Sequence, residues 1–312
     1  MSGGVEADLV AARFARTYQA VPGSPVAIVI AAYNEEESIG AVVRSLPAEV
    51  CGLTAQVIVV VDGSTDATAS EAEAAGAFVC DVPRNQGQGA ALRLGYRLAR
   101  ARGAAYIATI DADGQYDPAD LATVVAPLVD GRADLVSGSR RIGRSHTTDP
   151  VRSAGVVVFG ALITALTGTR ITDPANGLRA MRADVSAGVE LAQPQYQASE
   201  LLVAAILRGY RVVEVATVMR DRTAGTTKKG RNFVYGARFA RVVLGTWWRD
   251  RTLRPAPGSP PPAPAAPAAP AAVPGPSGPG ATAPPPLDSP AGSLPPAAGS
   301  ESPTGPAKIT NS

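Results

Sequence analysis

The sequence predicts an α/β fold in which a mostly parallel sheet is flanked by helices. Short apolar runs of the kind that are buried on both faces, such as Val26–Ala32 and Val57–Val61, alternate with segments of helical periodicity such as Gly89–Arg102. This alternation favours parallel strands joined by right-handed crossovers. Ligands of such sheets bind beyond the carboxyl ends of the strands. We therefore expect the functional site where polar residues follow the strands.

The remaining elements are predicted from the same periodicities. Apolar or alternating residues predict further strands at Ala77–Val82, Tyr106–Ile110, Asp134–Ser137, Gly177–Met181 and Arg211–Val218. Helical spacing predicts helices at Glu36–Leu46, from Ser64 or Thr65 to Ala75, and at Pro118–Val129, Arg152–Leu166, Glu200–Arg208 and Asn232–Trp248. The last helix is amphipathic, with arginines in one sector and aromatic and aliphatic residues over most of the rest.

Composition divides the chain into three parts. Of its 28 prolines, 19 lie in Pro255–Ser312, which contains no aromatic residue. Such a segment cannot bury enough apolar surface to offset its ordering entropy, so residues 253–312 are predicted to be a disordered tail. Residues 25–252 are long enough for one domain with a large core. Residues 1–24 form an N-terminal extension in which the apolar spacing suits a short amphipathic helix.

Several protein classes are excluded by what the chain lacks. Two cysteines, Cys51 and Cys80, cannot form a disulfide framework, and a reducing compartment is favoured. A single histidine, His146, excludes His-cluster metal sites, and no G-x-S-x-G seats a serine nucleophile. The N-terminus lacks the pattern of a signal peptide. The longest uncharged apolar run, Ala154–Leu166, would span only about 20 Å as a helix, so we expect no bilayer-crossing segment.

Charge is distributed unevenly along the chain. The net charge is +2, but Arg220–Arg251 contains nine Arg and Lys against two Asp, so the rest of the chain sums to −5. A basic block at the end of an acidic domain indicates an anionic partner, such as a membrane surface or a phosphate. The alternative is a solvated, charged helix face.

The strongest chemical signal is the pair of carboxylates Asp111 and Asp113, just past a predicted strand. Hard oxygen ligands in this arrangement suit Mg²⁺ or Mn²⁺, which would bridge to substrate phosphates. An EF-hand loop is a poor alternative, because its glycine belongs at position six and a strand precedes this motif. A turn capped by acidic side chains is the remaining alternative.

Two glycine-rich segments resemble nucleotide-binding loops only in part. Gly87-Gln88-Gly89 begins like a dinucleotide fingerprint, but Leu92 occupies the third glycine position. Gly225–Gly230 has the glycine spacing of a P-loop, but Arg231 and Asn232 replace the Lys-Ser/Thr pair. Neither segment alone identifies a ligand.

The order of the motifs resembles glycosyltransferase family 2 enzymes with the GT-A fold, over roughly Val26–Leu244. The chain is most similar to the branch that uses polyprenyl phosphates, such as the dolichyl-phosphate mannosyltransferases. The matching segments are Val29–Glu36, Asp62–Asp66, Asn85–Ala90, Asp111–Pro118, Gly138–Arg140, Asp173–Arg179 and Arg222–Lys228. The chain departs from the usual pattern at Ala31, Val61, Leu178 and Thr227.

The resemblance implies a role for each motif. Contacts to the nucleotide sugar, GDP-mannose or a UDP-sugar, are expected from Tyr33, Asn34, Glu35, Asp62, Gly63, Gly87 and Gly89. Asp111 and Asp113 would hold the Mg²⁺ or Mn²⁺, and Gln115 and Arg140 would complete the catalytic group. Arg179, Arg222 and Lys228, like Arg140, are candidates to bind the phosphate of the donor or that of the polyprenyl acceptor. The expected protein is cytoplasmic and peripheral at the inner face of the membrane, with no nucleic-acid partner.

The acceptor decides whether a general base is needed. A phosphate oxygen is already anionic near neutral pH, whereas a hydroxyl acceptor requires an Asp or Glu base, for which Asp173 and Glu200 are the candidates. A glycosyltransferase with a soluble acceptor is the main alternative. A non-catalytic scaffold with a proline-rich tail and a nicotinamide-dependent oxidoreductase are weaker alternatives.

Overall fold

The structure, a computed structural model, describes residues 3–145, 150–220 and 232–253 of the 312-residue chain. The helices are α1 (Gly3–Thr17), α2 (Ile39–Ser45), α3 (Thr68–Ala74), α4 (Gln88–Ala101), α5 (Asp120–Val129), α6 (Pro150–Thr167), α7 (Ala183–Gly188), α8 (Gln197–Leu207) and α9 (Asn232–Asp250). The strands are β1 (Val26–Ala32), β2 (Glu49–Val50), β3 (Leu53–Asp62), β4 (Phe78–Val82), β5 (Tyr106–Thr109), β6 (Leu135–Ser145), β7 (Arg179–Arg182) and β8 (Val212–Met219).

These strands form one mixed sheet in the order β2-β3-β1-β5-β7-β6-β8, and β4 also pairs with β3. Four pairings are parallel: β1 with β3, β1 with β5, β3 with β4, and β6 with β8. The short strand β7 runs antiparallel between β5 and β6, so that Arg179 lies opposite both Thr109 and Ser137. The α/β fold with helices flanking a largely parallel sheet is therefore confirmed.

The sheet separates two apolar cores, as expected for strands that are buried on both faces. On one side, Val29 and Ile58 pack with α4 and α8 residues such as Leu98 and Leu201. On the other side, Ile28 and Val59 pack with α2 and α5 residues such as Ile39 and Leu121. Val61, at a departure from the family pattern, belongs to this second core, and its side chain is therefore a packing residue.

Helix α1 packs against the domain. Phe14 is buried in the first core, and the hydroxyl of Tyr18 accepts a hydrogen bond from the backbone N–H of Val79 in β4 at 2.9 Å. The N-terminal segment thus forms the expected helix and adds a large aromatic side chain to the core of the α/β domain.

The amphipathic helix α9 is present, and its apolar residues divide between the core and the surface. Phe239 and Val243 are buried, whereas Leu244 and Trp248 are exposed. Apart from Leu253, which ends a short 3-10 helix, the predicted disordered tail lies outside the described residues, as do Arg222, Lys228 and His146. Within the described part of the chain, we find no helix that combines the length and hydropathy needed to cross a bilayer.

Candidate active site

A cavity of about 640 Å³ opens beyond the carboxyl ends of β1, β3 and β5, where the sheet topology predicts a ligand site. Of the twelve predicted site residues that the structure describes, nine line this cavity. They are Tyr33, Glu35, Asp62, Gly87, Asp111, Asp113, Gln115, Arg140 and Arg179. The cavity therefore brings together most of the nucleotide, metal and phosphate residues that the sequence predicts.

Three predicted nucleotide residues do not line the cavity and instead hold the loops around it. Asn34 (φ 51°) accepts a hydrogen bond from Thr65 N–H through Oδ1 at 2.9 Å, and its own N–H donates to the Ser64 hydroxyl at 2.9 Å. A Cβ on Gly63 would lie 2.2 Å from the backbone nitrogen of Asn85. Gly89 N–H donates to the Pro194 carbonyl at 2.9 Å. Within the described residues Asn34, Gly63 and Gly89 shape the loops beside the cavity, and their contact with a nucleotide sugar stays a prediction.

Asp62 organises the loop that follows β4. Its side chain is buried, and its two carboxylate oxygens accept hydrogen bonds from the backbone N–H groups of Gln86 at 2.9 Å and Gly87 at 2.7 Å. Because Asp62 and Gly87 both line the cavity, this carboxylate fixes the wall where a nucleotide would lie. The sequence motif located the residue, but its backbone partners lie more than twenty residues away and have no local sequence signal.

Both carboxylates of the segment Asp111–Pro118, which we call the metal motif, line the cavity. Asp113 is buried and accepts a hydrogen bond from Gln115 N–H at 3.2 Å, and Asp111 accepts one from the Gln88 amide at 3.3 Å. Gly177 packs so closely on Asp111 that a Cβ there would lie 2.2 Å from Oδ2. Because Gly177 has no side chain, the Asp111 carboxylate can occupy this space.

This donor set fits Mg²⁺ or Mn²⁺. The described residues contain no cluster of three or more His, Cys, Asp or Glu side chains that could hold an ion. Two carboxylate ligands are typical of a magnesium ion that completes its coordination with water and substrate phosphates. Asp111 and Asp113 are two carboxylates of this kind in one cavity.

Gln115 connects the metal motif to the end of β8. Its side-chain amide donates to the Arg220 carbonyl at 3.2 Å, and its own carbonyl accepts from Arg220 N–H at 2.7 Å. The neighbouring Tyr116 forms a β-bridge with Met219, and Arg220 pairs with Asp117. Gln115 therefore joins the wall of the cavity to the chain that follows β8.

Arg140 forms a buried ion pair with Asp173. Its Nε and Nη2 donate to the two carboxylate oxygens of Asp173 at 2.6 and 2.7 Å, and its Nη1 contacts the sulfur of Met219 at 3.3 Å. Burial alone would lower the pKa of Arg140, but the hydrogen bonds and charge of Asp173 outweigh it and raise that pKa. Arg140 lines the cavity as predicted, with its charge already balanced.

Neither candidate general base is available to a substrate. Asp173 is fully buried in the pair with Arg140. Glu200 is also fully buried, and it accepts hydrogen bonds from Ala192 N–H at 2.9 Å and Gln193 N–H at 3.0 Å, with Arg249 at 3.3 Å. Both carboxylates therefore make structural contacts, Asp173 with Arg140 and Glu200 with the backbone of residues 192–193.

Arg179 differs from Arg140 in its unmet hydrogen-bonding capacity. It is 3% exposed, yet its Nε and Nη1 have no hydrogen-bond partner within the described residues, and only Nη2 donates, to the Asn176 carbonyl. Burial raises the pKa of Tyr96, and the charge of nearby Arg179 opposes this shift. A buried guanidinium with two unsatisfied donors on a cavity wall is suited to binding an anion.

Several cavity residues were not singled out from the sequence. Tyr116 is buried, and its hydroxyl accepts from Gly177 N–H at 2.8 Å; burial, together with the charge of Asp111, raises its pKa. Its position within the metal motif was a usable signal. Tyr196 (φ 60°), Arg238 and Phe239 form another wall. Their signal is weak because α8 and α9 meet there only in the folded chain.

The comparison with protein families gives one match. Residues 27–188, just over half of the chain, match the family Glycosyl transferase family 2. The matched segment begins in β1 and ends in α7, so it contains Asp62, the metal motif and Arg179.

Two named relatives match this chain over nearly their whole length. A dolichyl-phosphate hexose transferase from Haloferax volcanii is 32% identical over 226 residues, which cover 72% of this chain and 95% of that protein. An undecaprenyl-phosphate mannosyltransferase from Micrococcus luteus is 30% identical over 234 residues, covering 72% and 93%.

Solved structures show the same fold. Glucosyl-3-phosphoglycerate synthase from Mycobacterium tuberculosis, crystallised with Mn²⁺, uridine diphosphate and glucosyl-3-phosphoglycerate, superposes with a TM-score of 0.58 at 24% identity. The superposition covers 80% of this chain and 86% of that one. The motifs, the GT-A type fold and the family match agree: the chain belongs to glycosyltransferase family 2.

Proposed function

We propose that this glycosyltransferase moves a sugar from a nucleotide sugar to a polyprenyl phosphate, with inversion at the anomeric carbon and with a divalent metal. The dolichyl- and undecaprenyl-phosphate relatives support the choice of acceptor. The observation that carries the proposal is the presence, in one cavity, of the carboxylate pair Asp111 and Asp113 and the unsatisfied guanidinium of Arg179.

The carboxylate side of the cavity would hold the donor. Asp111 and Asp113 would bind Mg²⁺ or Mn²⁺, which when bound neutralises the charge that develops on the departing diphosphate. Asp62 fixes the Gln86–Gly87 backbone, and Tyr33 and Glu35 form the adjoining wall. GDP-mannose and UDP-sugars are the donor classes to be distinguished.

The guanidinium side of the cavity would hold the acceptor. Arg179 Nε and Nη1 can donate two charge-assisted hydrogen bonds to a phosphate. Arg222 and Lys228 remain candidates for the same phosphate and lie outside the described residues. We place the reaction at the cytoplasmic surface of the membrane, where a prenyl chain can stay in the bilayer.

A phosphate acceptor needs no general base. One of its anionic oxygens attacks the anomeric carbon, the bond from that carbon to the nucleoside diphosphate breaks, and the diphosphate leaves with the electron pair. Attack from the opposite side inverts the configuration. The burial and ion pairing of Asp173 and Glu200 support this scheme, since neither is placed to deprotonate a hydroxyl.

The test is transfer from labelled GDP-mannose, UDP-glucose and UDP-galacturonate, with Mn²⁺, to undecaprenyl phosphate, undecaprenol or 3-phosphoglycerate. We expect one donor to label undecaprenyl phosphate and not the alcohol. Labelling of undecaprenol or of 3-phosphoglycerate instead would contradict the proposed acceptor.

A further inference from the structure

Two neighbouring helices, α6 and α9, present an unusual outer surface. The ring of Phe159 in α6 contacts that of Phe239 in α9 with centroids 4.2 Å apart, and Trp247 Nε1 donates to the Leu166 carbonyl at 3.0 Å. The second contact lies further along the sequence than the first in both helices, so the two helices lie side by side and run parallel. Both also contact α8, so their exposed sides face away from the core together.

The exposed side of α6 is apolar. Charged residues usually cover the outer face of a surface helix, but the sequence from Ser153 to Thr169 contains none. Val157 and Val158 are 44% and 62% exposed. The other exposed residues at the same helical spacing are Ala154, Ala161 and Ala165. A contiguous apolar stripe of this kind is typical of an interaction surface.

The exposed side of α9 combines cations with large apolar groups. Arg238 and Arg241 lie along its first half, and Leu244 and Trp248, 45% and 65% exposed, lie along its second half. The only carboxylate in either helix is Asp250, which is buried and paired with Arg249 at 2.8 Å. We call this combined surface, from Ala154 to Ala165 and from Arg238 to Trp248, the α6–α9 face.

We propose that the α6–α9 face docks on an anionic lipid bilayer. Exposed apolar side chains, a surface tryptophan and cations without exposed carboxylates are the features of helices that lie in a membrane interface. A second copy of the chain would also cover the apolar stripe, but the adjacent arginines would then lack an acidic partner on the same face. The positive charge therefore favours lipid headgroups.

The face is continuous with the active-site cavity, which determines how an acceptor would enter. Arg238 is an exposed residue of the face and also lines the cavity, next to Phe239 and Tyr196. A docked protein would thus place the cavity mouth at the headgroup layer, within reach of a membrane-held prenyl phosphate. This part of the inference rests on the proposed function, whereas docking itself does not.

The experiment compares vesicle binding by the full chain and two variants. One replaces Val157 and Val158 with Glu and Trp248 with Ser; the matched control replaces Val5 and Leu9 of α1, 49% and 59% exposed, with Glu. With vesicles of phosphatidylglycerol and phosphatidylcholine in equal parts, we expect at least about tenfold weaker sedimentation for the first variant and no change for the control. Wild-type-like binding by the face variant would overturn the proposal.

A second variant keeps the test valid if the first is unstable. Replacing Arg238 and Arg241, the exposed cations of the face, with Gln should weaken binding to these vesicles about thirtyfold, because each cation near an anionic leaflet contributes on the order of 1 kcal/mol. Unchanged binding by this variant would also overturn the proposal. So would a face variant that turns a dimer into a monomer in size-exclusion chromatography while still binding vesicles, because the occupant would then be a second copy.

Transfer assays separate the failure of docking from the failure of the proposed function. The face variant should lose transfer to undecaprenyl phosphate in vesicles and retain transfer to a short, water-soluble prenyl phosphate. Equal loss with both acceptors would contradict a docking role. If the vesicle results hold but wild-type protein transfers sugar to neither acceptor, the proposed function fails while the docking face stands.

Discussion

Arg140 and Asp173 form a bidentate ion pair beside the active-site cavity, with side chains that are 10% and 0% exposed. Asp173 also accepts from Arg140 N–H at 3.0 Å, and its own N–H donates to Glu214 at 2.8 Å. The pair therefore ties β6 to the loop before β7, which carries Gly177 against Asp111. We therefore expect the pair to position the site, and the catalytic role predicted for Arg140 stays a prediction.

The change Asp173→Asn should mainly reduce stability. It leaves the buried guanidinium of Arg140 without a counter-ion, which costs about 3–5 kcal/mol, or about 6–20 °C in Tm. As a control, Asp130→Asn breaks the exposed pair with Arg132, whose atoms are 2.7 Å apart, and should cost less than about 1 kcal/mol. A variant with unchanged Tm and abolished transfer would instead identify Asp173 as a catalytic base.

Asp62→Asn should disturb the donor side of the cavity. Its new amide NH₂ would face one of the two backbone N–H groups that the carboxylate now accepts, so the Gln86–Gly87 loop would lose a hydrogen bond. We expect a higher donor KM, an unchanged acceptor KM and faster amide hydrogen exchange at residues 85–89. A higher donor KM without faster exchange would mean that Asp62 contacts the nucleotide directly.

Asp113→Asn should reduce turnover by at least about 10²-fold, since it removes a ligand of the ion that opposes leaving-group charge. EDTA should abolish activity, and Mn²⁺ or Mg²⁺ should restore it in the wild type. Asp81→Asn, at an exposed position on β4, is the control. Full activity of Asp113→Asn, or of the wild type in EDTA, would exclude the metal role.

The sequence predicted the bounds of an element most accurately where neighbouring residues alone determine that element. Strand β1 has the predicted bounds, Val26–Ala32, because an unbroken Val/Ile/Ala run buried on both faces leaves no alternative. Strand β6 extends to Ser145 instead of ending at Ser137. The polar residues Ser139 and Arg140 lie in the unpredicted part of the strand, where Thr172 and Asp173 bond to them from more than thirty residues away.

For the candidate site, the sequence predicted which residues line the cavity better than it predicted what their side chains contact. The motifs located nine lining residues, but what each side chain does depends on contacts that form only in the fold. Asp62 accepts from the Gln86–Gly87 backbone, Asp173 balances Arg140, and Glu200 holds residues 192–193. Arg179 reaches the cavity from β7, which is inserted antiparallel between β5 and β6, a topology that no local sequence pattern indicates.

The most direct test of the central claim, that Arg179 is reserved for the acceptor phosphate, combines kinetics with stability in Arg179→Met. We expect the acceptor KM to rise at least about tenfold, since charge-assisted hydrogen bonds contribute about 1.5–3 kcal/mol, while the donor KM is unchanged. Tm should stay equal or rise, because an apolar side chain of similar length replaces a buried charge that has no ion-pair partner among the described residues. A lower Tm with an unchanged acceptor KM would show that Arg179 is structural and contradict the account.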